Sequence, residues 1–224
     1  MAAMEEPPQQ GPRPRIESLS DLVFGLALSI GAIALVSNPP GTAAGLYRDI
    51  ATFTFNFMVL ISIWLRYTRI MSVLPLENRR SMMLNTVLLF TVTMEPFLFN
   101  ILRSGNSLNP ASVTLFEAAS SLYGIDLGAM MLIIGGFTLA LASEERHLVP
   151  SSMITQLRYE ASTWIGSAAI FLISAIPVFG RIDVGGVLVS GFSVREGLWL
   201  FAVFVAWVSM VVRRVTGPSG PSVE

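Results

Sequence analysis

The sequence RPRIESLSDLVFGLALSIGAIALV, residues 13–36, begins with charged and hydroxyl side chains and continues as a run of aliphatic residues. Serine and acidic residues just before an apolar run are typical of a helix N-terminus. The apolar run has about 20 residues, the length that an α-helix needs to cross the hydrocarbon core of a bilayer. This stretch therefore predicts a transmembrane helix that begins next to a group of polar side chains.

The composition of the whole chain is that of a membrane protein. Of its 224 residues, 53% are apolar and 13% are charged, and the mean hydropathy is +0.65. These values are typical of integral membrane proteins. We predict an all-α membrane protein with a domain over residues 15–215 and disordered polar tails at 1–14 and 216–224. Six apolar segments are long enough to span a bilayer, near residues 19–37, 50–74, 81–102, 114–142, 161–180 and 191–212.

The positions of the arginines predict how the chain is oriented. All 14 basic residues are arginine, and ten of them lie near the two ends of the chain or around the connections that follow the second and fourth segments: Arg13, Arg15, Arg66, Arg69, Arg79, Arg80, Arg146, Arg158, Arg213 and Arg214. The opposite side has only Arg48, Arg103, Arg181 and Arg195. Because basic residues favour the cytoplasmic side, we expect both termini to be cytoplasmic. The exclusive use of arginine favours a prokaryote, so we expect a multi-pass protein of the prokaryotic plasma membrane.

Several kinds of chemistry have no residues to carry them. The chain has no cysteine, no lysine and a single histidine, His147, which excludes thiolate metal sites, Walker motifs and H-E-x-x-H sites. The net charge of −1 gives no support to nucleic-acid binding. The T-V-G-Y-G potassium filter is also absent. We therefore expect no enzyme activity, no cofactor, no resident metal and no nucleic-acid partner.

Polar residues inside the third and fourth segments leave other functions open. Glu95 and Asp126 are acids at membrane depth, where charged groups are costly and often functional. A secondary transporter or proton-linked carrier would use these two acids, and a membrane-embedded hydrolase would group them with Asp21. Against this, Glu95 precedes Pro96, where a helix kink is the simpler interpretation. A structural or assembly factor is a further alternative.

The first predicted helix has two different faces. At about 100° per residue, Leu22, Ser29, Ile30, Ile33 and Ser37 lie within roughly 60° of Leu26. The residues on the other side of the helix are Ser20, Asp21, Gly25, Ala27 and Gly31. The stripe is typical of a surface that faces lipid or a protein core. Around a symmetry axis, several copies of it would form a hydrophobic constriction with a ring of Ser29 hydroxyls.

Three motifs of this sequence resemble the transmembrane protein 175 family, which comprises lysosomal potassium channels and their six-span prokaryotic relatives. RIESLSD, residues 15–21, is similar to the R-x-x-x-F-S-D signature that opens the first helix of that family. The aromatic second segment ending at Trp64 and LNTVLLFTVTMEPF, residues 84–97, are similar to its second and third helices. Two departures are Leu19 in place of phenylalanine and Tyr67 in place of a frequent histidine.

The resemblance implies a homotetrameric, potassium-permeable channel in the lipid bilayer, with the first helix of each subunit lining a central pore. By position it implies that Leu26, Ser29, Ile30 and Ile33 line this pore. It further implies that the pore helix is braced by Arg15, Ser20, Asp21 and Trp64. We expect the Asp21–Arg15 pair to be buried away from the pore, and Trp64 and Tyr67 to lie at the membrane interface.

Overall fold

The computed structural model describes residues 15–37, 39–74, 79–104, 110–143, 148–182 and 193–216, with only the backbone for 15–17, 104, 110–112 and 210–216. Within these residues the regular secondary structure is helical, which confirms the all-α class. The helices are α1 (Arg15–Ser37), α2 (Ala43–Met71), α3 (Arg79–Ser104), α4 (Pro110–Leu141), α5 (Ser151–Ser174), α6 (Pro177–Arg181) and α7 (Val194–Thr216). The predicted tails at 1–14 and 216–224 lie outside the described residues, except for Thr216, at which α7 ends.

Four helices of the described part are long and apolar enough to cross a membrane, namely α1, α2, α3 and α4. The apolar run of α5 is shortened because its first half carries the polar and charged residues of QLRYEAST, residues 156–163. The side chains of the last turns of α7 are not among those described. The structure thus gives a membrane protein with several apolar helices.

Helix α4 forms the centre of the bundle. In its apolar stretch 67% of the residues are buried, against 28% in α1 and 28% in α2. It packs most extensively on α5 and next on α3, while α1 lies at the edge on α3 and α2. Because α1 is peripheral, a large part of its apolar surface is left uncovered within one subunit.

Three glycines of α4 allow its backbone to approach α5 closely. A Cβ atom on Gly124, Gly128 or Gly135 would lie 3.2–3.4 Å from a carbonyl oxygen of α5, those of Phe171, Ala168 and Ala161 respectively. At Gly128 it would also lie 2.8 Å from Cγ of Leu172. Small residues at such spacing are the usual way in which membrane helices pack without a hydrophobic driving force.

The segment predicted as one span over 161–180 differs from the observed helix at both ends. Helix α5 begins ten residues earlier, at Ser151, and ends at Ser174. Ile176 is extended, with φ −61° and ψ 128°, and Pro177 then begins α6. Proline has no N–H for the helix and disfavours a helical conformation in the residue before it, which explains the interruption. By contrast, α3 continues through Pro96.

A buried arginine closes the end of α5. Arg195, only 1% exposed, donates from Nε to the carbonyl of Ser174 (2.9 Å) and from Nη2 to that of Ile176 (3.3 Å). It also bonds Ser120 of α4. The last carbonyls of a helix have no partner within the helix, and a cation there is favoured by the helix dipole. Arg195 therefore joins α4, α5 and α7.

Replacing Gly128 with alanine should destabilise the bundle by about 1–3 kcal/mol, because the added methyl overpacks the contact with Leu172 and the Ala168 carbonyl. Gly136→Ala is the matched control, since nothing lies within 4 Å of a Cβ there. The control should be neutral or stabilising by about 0.4–1 kcal/mol. Thermal unfolding of the purified protein in detergent measures both, and equal midpoints would contradict the packing described.

Candidate pore helix and its supporting contacts

The two faces of α1 differ in exposure as the sequence pattern predicts, except that Asp21 and Gly25, expected on the packed side, are exposed. Leu26, Ile30 and Ile33 are 52%, 52% and 61% exposed, whereas Phe24 and Ala27 are 1% and 3% exposed. The exposed residues follow one another at helical spacing and form a continuous aliphatic surface. We call the surface formed by Leu22, Leu26, Ser29, Ile30 and Ile33 the aliphatic stripe. No other part of the described chain covers this stripe within a single subunit.

Ser29 is the polar member of the aliphatic stripe. Its side chain is exposed, and its hydroxyl donates to the carbonyl of Gly25, one turn earlier, at 2.7 Å. Serine hydroxyls in membrane helices commonly satisfy their proton in this way. Because the hydroxyl proton is donated to the Gly25 carbonyl, Ser29 presents the lone pairs of its Oγ outward. The stripe therefore offers an oxygen acceptor between aliphatic side chains.

A chain of hydrogen bonds fixes the N-terminal half of α1 to the neighbouring helices. The hydroxyls of Ser20 and Tyr67 lie 2.7 Å apart, and Tyr67 donates to Oδ1 of Asn85 at 2.8 Å. All three side chains are buried, with exposures of 0%, 1% and 3%. This Ser20–Tyr67–Asn85 chain links α1, α2 and α3. Tyr67 was expected at the membrane interface, and the structure buries its ring and satisfies its hydroxyl inside the subunit.

Asp21 and Trp64 form a second contact between α1 and α2. The indole Nε1 of Trp64 donates to Oδ1 of Asp21 at 3.0 Å. Asp21 is exposed in the single subunit, which differs from the expected burial of an Asp21–Arg15 pair. The side chain of Arg15 lies outside the described residues. Of the four bracing residues implied by the resemblance, the structure therefore brings Ser20 and Asp21 to α2 and places Trp64 against Asp21.

The C-terminal end of α1 is held by an ion pair that the sequence pattern did not predict. Arg103 of α3 donates from Nη1 to Oδ2 of Asp49 at 3.1 Å and from Nη2 to the carbonyl of Ala34 at 2.6 Å. The Arg103 and Asp49 side chains are only 5% and 8% exposed. An acid nearly two turns into α2 and an arginine in the last turn of α3 were visible as charges at the ends of apolar segments. Nothing in the sequence paired them.

The two membrane acids lie in the core of the subunit rather than on the aliphatic stripe. Glu95 is fully buried and Asp126 is 7% exposed. Their neighbours are Asn56, which lies beside Glu95, and Tyr123, whose hydroxyl donates to Oδ1 of Asn56 at 2.9 Å. Gly31 of α1 covers this cluster, as a Cβ there would lie 4.0 Å from Nδ2 of Asn56. The cluster thus lies behind α1, on its buried face.

Metal-ligating side chains do not gather elsewhere in the described residues, which hold no group of three or more His, Asp or Glu side chains that could bind an ion. His147 lies outside the described residues.

Removing the Tyr67 hydroxyl should weaken the attachment of α1. In Tyr67→Phe, Ser20 and Asn85 lose a buried hydrogen bond each, and we expect a loss of about 1–3 kcal/mol in stability. Tyr47→Phe is the control, because Tyr47 is 73% exposed. Thermal unfolding in detergent compares the two, and an equal effect would mean that the Ser20–Tyr67–Asn85 chain does not stabilise the fold.

The first three helices resemble a known protein family, and the fold of most of the chain resembles two solved structures. The model of the family described as endosomal/lysosomal potassium channel TMEM175 matches residues 15–96, which hold α1, α2 and most of α3. A solved lysosomal potassium-selective channel TMEM175 homolog from Chamaesiphon minutus is 20% identical to this chain. The alignment covers 87% of this chain and 96% of that one, with a TM-score of 0.55.

A variant of the potassium channel MtTMEM175, solved with a nanobody–MBP fusion protein, is 17% identical. In that alignment 93% of this chain and 96% of the other are covered, with a TM-score of 0.58. No curated protein sequence matches. The resemblance first seen in RIESLSD is confirmed: the TMEM175 family model matches the first three helices, and the fold is similar to that of solved TMEM175 channels over most of the chain.

Proposed function

We propose that this chain is the subunit of a homotetrameric, potassium-permeable channel whose pore is lined by α1. The observation that carries the proposal is the aliphatic stripe, which lies on a peripheral helix that polar contacts hold firmly to its own subunit. Both solved relatives are potassium channels by their descriptions. In this proposal Leu26, Ser29, Ile30 and Ile33 of four copies surround a common axis, and ions cross without an enzyme step.

The chemistry of such a pore follows from the stripe. Rings of Leu26, Ile30 and Ile33 form an apolar constriction in which water is unstable, and a cation pays for losing part of its hydration shell. Between these rings, the Ser29 oxygens present lone pairs and replace part of that shell. Because the Ser29 proton is bonded to the Gly25 carbonyl, the ring favours cations over anions. Selection among cations then depends on the ring diameter and the cost of dehydration.

Six long helices crossing the membrane, with residues 15–215 as one channel domain, complete the proposal. The contact of Arg103 with Asp49 and Ala34 places the end of α1, the start of α2 and the end of α3 at one side. This is the arrangement that an up-and-down topology requires. The excess of arginine at the opposite side supports cytoplasmic termini in a prokaryotic plasma membrane.

A proton-linked carrier is the second candidate, favoured by one observation. Glu95 and Asp126 are both buried in the subunit, near enough to each other for their carboxyl groups to interact electrostatically. Paired acids at membrane depth are a common feature of proton relays. The two candidates differ in one measurable property, since flux through a carrier saturates and follows an imposed proton gradient.

Ile30→Asn should widen and hydrate the constriction. Potassium-gradient-driven flux into liposomes containing the purified protein should rise roughly tenfold, equivalent to about 1.4 kcal/mol off the barrier. The control is Ile125→Asn, because Ile125 of α4 is also exposed, at 46% against 52% for Ile30. Unchanged flux in a correctly assembled Ile30→Asn variant would remove Ile30 from the pore, and flux that follows the proton gradient would favour the carrier.

Ser29→Ala should lower the preference for potassium over sodium, since the ring of oxygens is lost while the aliphatic rings remain. We expect the ratio of potassium to sodium flux to fall severalfold, a change on the order of 1 kcal/mol. Ser29→Thr keeps the hydroxyl and should keep most of the preference. Paired potassium and sodium gradients in the same liposomes give the ratio, and an unchanged ratio in Ser29→Ala would place selection elsewhere.

A further inference from the structure

Arg103 makes two contacts that meet at the C-terminal end of α1. One guanidinium nitrogen bonds the Asp49 carboxylate of α2 and the other bonds the backbone carbonyl of Ala34. The guanidinium is planar and presents its donors in a fixed fork, so the two bonds determine each other's direction. Together they tie α1, α2 and α3 at one point.

The Ala34 carbonyl lies at the end of α1, where it needs a hydrogen-bond donor from outside the helix. Ala34 is one of the last four residues of α1, which ends at Ser37, and the carbonyls of these residues have no partner within the helix. A positive group at a helix C-terminus is also favoured by the helix dipole. Arg103 therefore supplies both the donor and the charge that the end of α1 requires at a buried position.

The pairing with Asp49 compensates the charge of Arg103 at this buried position. The two side chains are 5% and 8% exposed, so either charge alone would be left uncompensated in a poorly hydrated place. Arg48, also near Asp49 at 3.8 Å, is half exposed and has no described contact with α1. It cannot replace Arg103 in holding the helix.

We propose that Asp49 and Arg103 are positioning residues that set the outer part of the pore, an inference that rests on the proposed function. Ala34 directly follows Ile33 and lies one turn beyond Ile30, so a displacement of its carbonyl moves both members of the aliphatic stripe. The Ser20–Tyr67–Asn85 chain holds the N-terminal half of α1 in the same manner. The constriction lies between these two attachments, and its diameter depends on both.

The test uses the absence of cysteine in the natural chain. A cysteine at Val36, which is 81% exposed, reports the C-terminal end of α1, and a cysteine at Leu22, 58% exposed, reports the N-terminal half. Each cysteine is introduced into the full-length protein, and the protein is reconstituted in liposomes. The rate at which the cysteine reacts with a water-soluble thiol reagent is then measured. Potassium and sodium flux are recorded in parallel, from liposomes that contain the same protein without the added cysteine.

The informative background is the double variant Asp49→Asn/Arg103→Met, which removes both charges together and so avoids leaving one of them buried alone. We expect labelling at position 36 to become roughly tenfold faster or more, the shift expected on losing a hydrogen bond to a charged group. Labelling at position 22 should stay unchanged, and the ratio of potassium to sodium flux should change. Arg48→Met is the matched control and should leave all three readouts as in the unmodified protein.

Other outcomes overturn the proposal or separate it from the channel. Unchanged labelling at position 36, or an equal rise at both positions, would show that Asp49 and Arg103 do not position α1 specifically. Faster labelling at position 36 with an unchanged ratio of potassium to sodium flux would show that Asp49 and Arg103 hold α1 but do not influence the pore. If the unmodified protein conducts no ions, the channel proposal fails while the labelling still decides the role of the pair.

Should the double variant not assemble, Arg103→Lys gives the same decision. Lysine keeps a positive charge beside Asp49 but lacks the fork that bonds Asp49 and the Ala34 carbonyl together, and labelling at position 36 should rise while labelling at position 22 does not. No rise there would contradict the positioning role.

Discussion

The arrangement of α1 depends on two hydrogen bonds of the Tyr67 hydroxyl, one with Ser20 and one with Asn85. Inside a membrane no water replaces a lost hydrogen bond, so buried polar groups must find partners within the protein. The Ser20–Tyr67–Asn85 chain satisfies its members only if α1 presents Ser20 toward α2 and α3. The rotation of α1 is then fixed, and the aliphatic stripe must face outward.

The remainder of the bundle gives this contact a rigid support. Close packing at Gly124, Gly128 and Gly135 joins α4 to α5, and Arg195 joins the same two helices to α7. Helices α2 and α3, which hold α1, themselves pack on α4. A peripheral helix with polar attachments is thus mounted on a tightly packed core. This division suits a protein in which one helix meets ions while the others keep their positions.

Much of this could be predicted from the sequence, because hydropathy and helical periodicity are local properties. The stretch 15–37 predicts a helix and assigns its two faces, and the exposures of Leu26, Ile30 and Ala27 agree with the assignment. Periodicity does not reveal which faces of different helices meet. The Asp49–Arg103 pair was missed for this reason. The general preference of tyrosine led to the expectation that Tyr67 lies at the interface, and the hydrogen bonds that bury its hydroxyl could not be predicted from that preference.

The central claim is that the aliphatic stripes of several subunits face one another, and disulfide cross-linking tests it most directly. Since the natural chain has no cysteine, a Leu26→Cys protein in liposomes has only one thiol per subunit. The account predicts covalent dimers on oxidation and a loss of potassium flux, whereas Phe201→Cys, on exposed α7 surface, remains conducting. An unlinked Leu26→Cys protein with normal flux would contradict the account and leave the stripe facing lipid.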